Sequence, residues 1–218
     1  MDEKQILVSK LRQNYRFNTL SEKEAKTNPF EQFNTWFEEA LDSEIREPNA
    51  MTIATVSSDG HPSARIVLLK GYSEEGFIFY TNYESRKGKE LAKNPYIAIL
   101  FFWDILERQI RIEGKIERLS TEVSDNYFNK RPKSSRIGAL ASPQSQVIAD
   151  RNIIEENMQE LSKKYEDTEF IPRPGHWGGY IVVPSMIEFW QGRQSRLHDR
   201  LQYSLLEDGS WKMERLAP

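Results

Sequence analysis

Two arginines and a histidine stand on alternate residues in Arg196-Leu197-His198-Asp199-Arg200, shortly after Glu188-Phe189-Trp190-Gln191-Gly192. In a strand, residues i, i+2 and i+4 share a face. Arg196, His198 and Arg200 are therefore expected to point one way, with Leu197 turned back into a core. Three groups able to carry positive charge repel one another unless something anionic or electron-rich lies opposite. The stretch is either a site for a flat, negatively charged ligand or a solvated strand face.

Three other clusters carry the same chemistry. Arg65-Ile66-Val67-Leu68-Leu69-Lys70 has a cation at each end of an apolar run. An odd separation puts the two charges on opposite faces of a regular strand, where they would serve two ligands or merely end a strand. Tyr80-Thr81 and Ser85-Arg86-Lys87 bring hydroxyls and two cations to a helix start, where free N–H groups and the helix dipole favour phosphate; the alternative is a capped surface helix. Tyr127, Arg131 and Ser135 recur at four-residue steps around Pro132. A phenol, a guanidinium fork and a hydroxyl suit phosphate oxygens, although a basic corner facing water would look alike. Gln144-Ser145 in a polar loop mean nothing by themselves.

The elements that must position these groups can be read from periodicity and punctuation. Residues 3–15 have amphipathic helical spacing. Asn28-Pro29 reads as an N-cap and first-turn proline of a helix to about Arg46. Met51–Ser57 and Ala64–Tyr72 are strand-like runs around the hairpin signal Ser58-Asp59-Gly60-His61. Strands are expected at 77–82, 96–103 and 108–119, with a helix over 86–93 capped by Ser85. Helices follow at 121–129, where Ser120 is a candidate cap, at 135–141 and at 150–165. Strands return at 179–183 and 186–191, and Arg196–Leu205, Asp208-Gly209 and Trp211–Leu216 form a last hairpin. Strands joined by hairpin-length links argue for an antiparallel barrel with helices in the connections.

Composition removes several classes. The 218 residues suit a single domain, 1–218, with 1–20 set apart as a candidate mobile segment. There is no cysteine, so neither disulfides nor thiolate chemistry arise. The start, Met1-Asp2-Glu3-Lys4-Gln5, lacks the order of a signal peptide. No apolar run approaches the roughly 20 residues that span a bilayer, and a cytoplasmic protein is expected. A net charge of −3 gives no bulk attraction for nucleic acid. The three histidines are scattered, so no metal site is expected. Neither a dinucleotide fingerprint nor a P-loop is present.

The motifs, in their order, resemble those of the pyridoxine/pyridoxamine 5′-phosphate oxidases nearly end to end. The resemblance rests on the 65–70 run, Phe79-Tyr80-Thr81-Asn82, Ser85-Arg86-Lys87 and Glu107-Arg108-Gln109. It continues through Tyr127-Phe128, Arg131-Pro132 with Ser135 and Ile137-Gly138-Ala139, and Gln144-Ser145. Phe189-Trp190-Gln191-Gly192, the 196–200 segment and Arg215-Leu216-Ala217-Pro218 complete it. It implies a mainly β fold with α additions, a split antiparallel β-barrel of the FMN-binding type with peripheral helices, active as a homodimer with FMN at the interface.

By the same resemblance, FMN is held by Arg65, Ile66, Val67, Leu68, Leu69 and Lys70, by Tyr80, Thr81, Arg86 and Lys87, and by Gln109, Gln144, Ser145, Trp190 and Arg200. The substrate phosphate falls to Lys70, Tyr127, Arg131 and Ser135. Arg196, Leu197 and His198 cover the substrate ring, with Arg196 and His198 as the catalytic pair. Arg12 and Tyr15 match a substrate-contacting Arg-x-x-Tyr. The implied reaction moves a hydride from substrate C4′ to flavin N5 and reduces O2 to H2O2, making pyridoxal 5′-phosphate. A non-catalytic carrier of FMN or pyridoxal phosphate could dispense with Arg196 or His198. A nicotinamide-dependent flavin reductase would not need the grip at Tyr127, Arg131 and Ser135. A nucleic-acid-binding barrel would want a basic total and exposed aromatics.

Overall fold

The computed structural model of the protein describes residues 19–218. The expected helix at 3–15, with Arg12 and Tyr15, lies outside them. Among the described residues the helices are α1 (Pro29–Leu41), α2 (Arg86–Lys93), α3 (Thr121–Lys130), α4 (Lys133–Ala141) and α5 (Asn152–Lys164). The strands are β1 (Ala50–Val56), β2 (Pro62–Leu68), β3 (Gly71–Ser73), β4 (Gly76–Asn82), β5 (Tyr96–Trp103), β6 (Arg108–Arg118), β7 (Trp177–Gln191), β8 (Asp199–Leu205) and β9 (Trp211–Arg215). They hydrogen-bond in the order β2-β1-β5-β6-β7-β4-β3, with β8 pairing β7 and β9 pairing β8. No helix among the described residues is long and apolar enough to cross a membrane. The contacts divide the chain into two units. The first takes in the described residues to Pro48 with Leu100–Ile112 and Met186–Pro218; the second is Asn49–Ile99 with Glu113–Ser185.

In the first unit, Asn28 caps α1 by accepting from the Phe30 N–H at 2.8 Å, and Pro29 fills the first turn. Helical spacing then buries Phe30, Phe33, Trp36 and Ala40. Phe33 meets Phe101 edge-on at 5.4 Å, and Trp36 meets Phe189 at 5.2 Å. The helix stops at Leu41, short of the expected Arg46. The Asp42 N–H closes on the Glu38 carbonyl, and the Ser43 hydroxyl donates to Ala40 at 2.7 Å, competing with another helical turn. In the antiparallel β7/β8 pair, Phe189 lies opposite Leu201, both fully buried.

The second unit holds the β1/β2 hairpin, in register from Val56↔Pro62 to Ala50↔Leu68. Its turn needs the left-handed φ of 86° that Gly60 supplies. The single strand expected at 64–72 is two strands. The Leu69 N–H still reaches Asn49 on the β1 side at 2.8 Å, whereas the Lys70 N–H donates to Ile78 of β4 at 2.8 Å. The chain changes partners there, so the alternation that related Arg65 to Lys70 does not run through.

Ser85 and Ser120 cap α2 and α3 through bonds from the Gly88 and Val123 N–H groups, at 3.3 and 3.2 Å. Arg131 ends α3 and Pro132 opens α4, making the expected corner. The two segments expected at 179–183 and 186–191 are one strand, β7, with Pro184 inside it. Gly114 of β6 admits that stretch: a Cβ there would sit 2.2 Å from the Val183 carbonyl oxygen.

Candidate active site

A cavity of about 500 Å³ opens within the second unit. Ile66, Val67 and Leu68 at the end of β2, Lys70 beyond it, and Tyr80 and Thr81 of β4 line it. Lys87 of α2, Tyr127 and Arg131 at the corner, Ser135 of α4 and Gln144 complete the set singled out from sequence. Trp177, at the start of β7, belongs with them, although no sequence expectation singled it out. Its ring stacks on Tyr80 at 5.3 Å and 11°, and Tyr80 stacks on Tyr127 at 3.9 Å and 8°.

Among the described residues, Lys70, Lys87 and Arg131 each bring a cation to this cavity without a carboxylate partner. Lys87 Nζ donates to Thr81 Oγ1 and Gln144 Oε1, both at 3.2 Å, and lies 3.5 Å from Ser85 Oγ. These are neutral oxygens. Burial, and then the charge of nearby Arg65, push the Lys87 ammonium below its ordinary pKa of 10.5. Arg131 lies over the Trp177 ring at 4.8 Å, and its buried Nη1 has no hydrogen-bond partner. Burial lowers its pKa as well. A buried, unpaired guanidinium N–H costs free energy that an anionic oxygen would return. Tyr127, whose phenol burial pushes up, and Ser135 add hydroxyls beside it.

Other predicted ligands lie elsewhere in this unit. Leu69 is buried, 4% exposed. Arg65 does not line the cavity with Lys70. Its guanidinium donates to Thr55 at 2.5 Å, Ser63 at 2.7 Å and Glu90 at 3.3 Å. Arg86 bonds Glu90 at 2.8 Å and, with Ser145, lines a second cleft of about 330 Å³. Burial pushes the Glu90 carboxyl up, but hydrogen bonds from Thr55 and Arg86 and the charges of Arg86 and Arg65 outweigh it and hold the group below its usual 4.5.

Gln109, Trp190, Arg196, Leu197, His198 and Arg200 belong to the first unit, and here the strand expectation fails. Strand β8 starts only at Asp199; Gln194–Arg196 is a 3-10 turn, with left-handed φ of 57° at Ser195 and 62° at Arg196. Arg196 and His198 therefore do not share a strand face with Arg200. Leu197, expected in the core, is 69% exposed. Gln109 is half-buried on β6. Arg200 donates from Nε to buried Glu188 at 2.7 Å and from Nη1 to the Ala217 carbonyl at 2.8 Å. Glu188 also pairs with Arg111 at 2.9 Å.

The His198 ring rests 4.5 Å from Trp190, and its Nδ1 accepts the Arg193 backbone N–H at 3.1 Å. A backbone N–H can only donate, so the neutral ring carries its proton on Nε2. Burial, then Arg196, lower the His198 pKa from 6.5. Both causes disfavour the charged form, so the ring is expected to be neutral at pH 7. Its carbon-bound protons should titrate in NMR with a midpoint below 6.5; a higher midpoint would contradict this environment.

Solved structures share this fold. PhzG from Burkholderia lata, in complex with tetrahydrophenazine-1-carboxylic acid, superposes with a TM-score of 0.87 at 29% identity, covering 94% of this chain and all of that one. A pyridoxamine 5′-phosphate oxidase-related, FMN binding protein from Nostoc punctiforme gives 0.70 at 15% identity, over 88% of this chain and all of its own. The class is thus the split-barrel one, mainly β with added helices. Within it, residues 37–165 match the family model described as pyridoxamine 5′-phosphate oxidase, and residues 177–218 match the pyridoxine 5′-phosphate oxidase C-terminal dimerisation region. The pyridoxine/pyridoxamine 5′-phosphate oxidase of Trichormus variabilis is 58% identical over 211 residues, 97% of this chain and 98% of its own length. That of Salinibacter ruber is 55% identical over 212 residues, 97% and 99%. The chain belongs to the pyridoxine/pyridoxamine 5′-phosphate oxidase family and is an oxidoreductase.

Proposed function

We propose that this protein is an FMN-dependent oxidase that converts pyridoxine 5′-phosphate or pyridoxamine 5′-phosphate to pyridoxal 5′-phosphate, and that it works as a homodimer with FMN at the subunit interface. The observation that carries the reading is the cavity of the second unit, which gathers three cations without a carboxylate partner among the described residues, Lys70, Lys87 and Arg131, on separate elements. That much unanswered positive charge suits phosphorylated ligands. The residues fit FMN, since the Lys87 ammonium, held by the Thr81 and Ser85 hydroxyl oxygens, stands at the start of α2, where the helix dipole also favours phosphate.

When bound, FMN would supply the redox chemistry, hydride acceptance from C4′ and two-electron reduction of O2 to H2O2. The chain's own residues bind and orient. Lys70, Tyr127, Arg131 and Ser135 hold the substrate phosphate far from the reacting carbon and supply binding affinity there. Arg196 orients the ring through its planar guanidinium and stabilises developing negative charge. His198, with its proton on Nε2, donates a hydrogen bond from that atom. The dimerisation region at 177–218 supports the homodimer.

The test is direct. Purified protein should be yellow, should bleach anaerobically with pyridoxine 5′-phosphate, and should recover its colour in air with release of H2O2. Protein that takes up no FMN, or that keeps its colour under substrate, would reject the proposal.

A further inference from the structure

Glu90 has no part in the reading above, yet its carboxylate bonds two of the predicted cofactor ligands, Arg65 and Arg86. It sits on α2 and is 6% exposed. Its Oε1 accepts from Arg86 Nε, one helical turn away, at 2.8 Å. Its Oε2 accepts from Arg65 Nη2 of β2 at 3.3 Å and from the Thr55 hydroxyl of β1. Thr55, itself fully buried, accepts in turn from Arg65 Nη1 at 2.5 Å. One carboxylate thus joins three elements and uses both oxygens.

We propose that Glu90 is a positioning residue that sets the guanidiniums of Arg65 and Arg86 for the phosphate of the cofactor; this rests on the FMN reading above. The way each arginine is held supports it. Arg86, which lines the second cleft, is gripped by Nε alone, which leaves the planar pair of Nη1 and Nη2 groups unengaged among the described residues. That pair is the geometry with which a guanidinium forks two oxygens of a phosphate. Arg86 is otherwise 61% exposed and would sample many rotamers. Holding one of them in advance removes an ordering cost from binding. Arg65 is triangulated by Thr55, Ser63 and Glu90 and cannot swing. The negative charge of Glu90 does not cancel the site, because the cleft is lined by Arg86, Lys89 and Lys93 against Glu84 and Glu90.

The test compares FMN with riboflavin, which has the same ring system and no phosphate, by flavin fluorescence quenching on apoprotein. Wild-type protein should prefer FMN strongly; failure to bind FMN at all would sink the parent reading rather than this one. Glu90→Gln keeps the volume but offers one acceptor oxygen and turns an NH2 group toward donors. It should weaken FMN binding about 10-fold or more, the scale of a lost charge-assisted hydrogen bond, while riboflavin affinity stays within about two-fold. Thr55→Val, nearly isosteric, removes only the hydroxyl between Arg65 and Glu90 and should shift the same ratio in the same direction by less. It provides the reading should Glu90→Gln fold poorly. An unchanged FMN-to-riboflavin ratio in both variants, or equal loss of the two ligands with a lowered melting temperature, would overturn the proposal.

Discussion

Arg131→Ala should raise the KM for either phosphorylated substrate by roughly 10- to 150-fold, since a hydrogen bond to a charged group contributes about 1.5–3 kcal/mol. Turnover at saturating substrate should fall much less. A grip on a phosphate remote from the reacting carbon is equally strong in the ground and transition states, so its loss appears in KM. The unliganded protein should tolerate the change. Truncation loses the packing of Arg131 over Trp177, but it also removes a buried cation whose Nη1 lacks a partner, and these two effects oppose each other. Arg131→Lys should fall between, since an ammonium restores the charge without the fork. FMN binding, measured separately, should be nearly unaffected. A large loss of turnover at saturating substrate, with KM unchanged, would remove Arg131 from the phosphate grip.

Gly88→Ala should lower the melting temperature and weaken FMN binding together. Helix propensity alone predicts the opposite, because alanine is favoured over glycine inside a helix by about 1 kcal/mol. The packing decides the sign. A Cβ at position 88 would lie 2.2, 2.5 and 2.7 Å from the O, C and Cα atoms of Tyr83, all backbone. Tyr83 cannot give way easily. Its N–H is bonded to the His176 carbonyl at 2.6 Å, its hydroxyl to Gly179 at 3.1 Å, and Arg118 covers its ring at 4.2 Å. The helix must move instead, carrying Arg86 and Lys87 with it. Overpacking costs about 1–3 kcal/mol, and in a chain of this size each kcal/mol shifts the midpoint by roughly 2–4 °C. A thermal melt and an FMN titration on the same preparation check both halves. A raised midpoint with intact FMN affinity would mean that α2 is not seated by this contact.

How much of this could be read beforehand follows the range of the interactions. Asn28, Ser85 and Ser120 cap their helices within three residues of where their bonds land, and Gly60 and Gly209 supply left-handed turns in place. Each is a local negotiation between a side chain and its own backbone, visible in the order of residues. The Tyr127, Arg131 and Ser135 corner was legible for the same reason: Pro132 breaks a helix wherever it stands.

The misreadings have a common cause. Nothing near Leu69 announces that its N–H turns to Asn49 while the next N–H turns to Ile78. Ser195 and Arg196 carry positive φ without being glycine, so alternation was carried through a segment that has none. Glu90 drew no expectation from sequence, because the groups that close on it, Arg65 and Thr55, stand 25 and 35 residues away. Residue order settled the chemistry available, the caps and the turns, because those depend on neighbours a few bonds apart. Which cations would lie buried without a counter-charge, and which would be clamped, was settled by strands and helices meeting across long stretches of chain, where burial sets the worth of each charge.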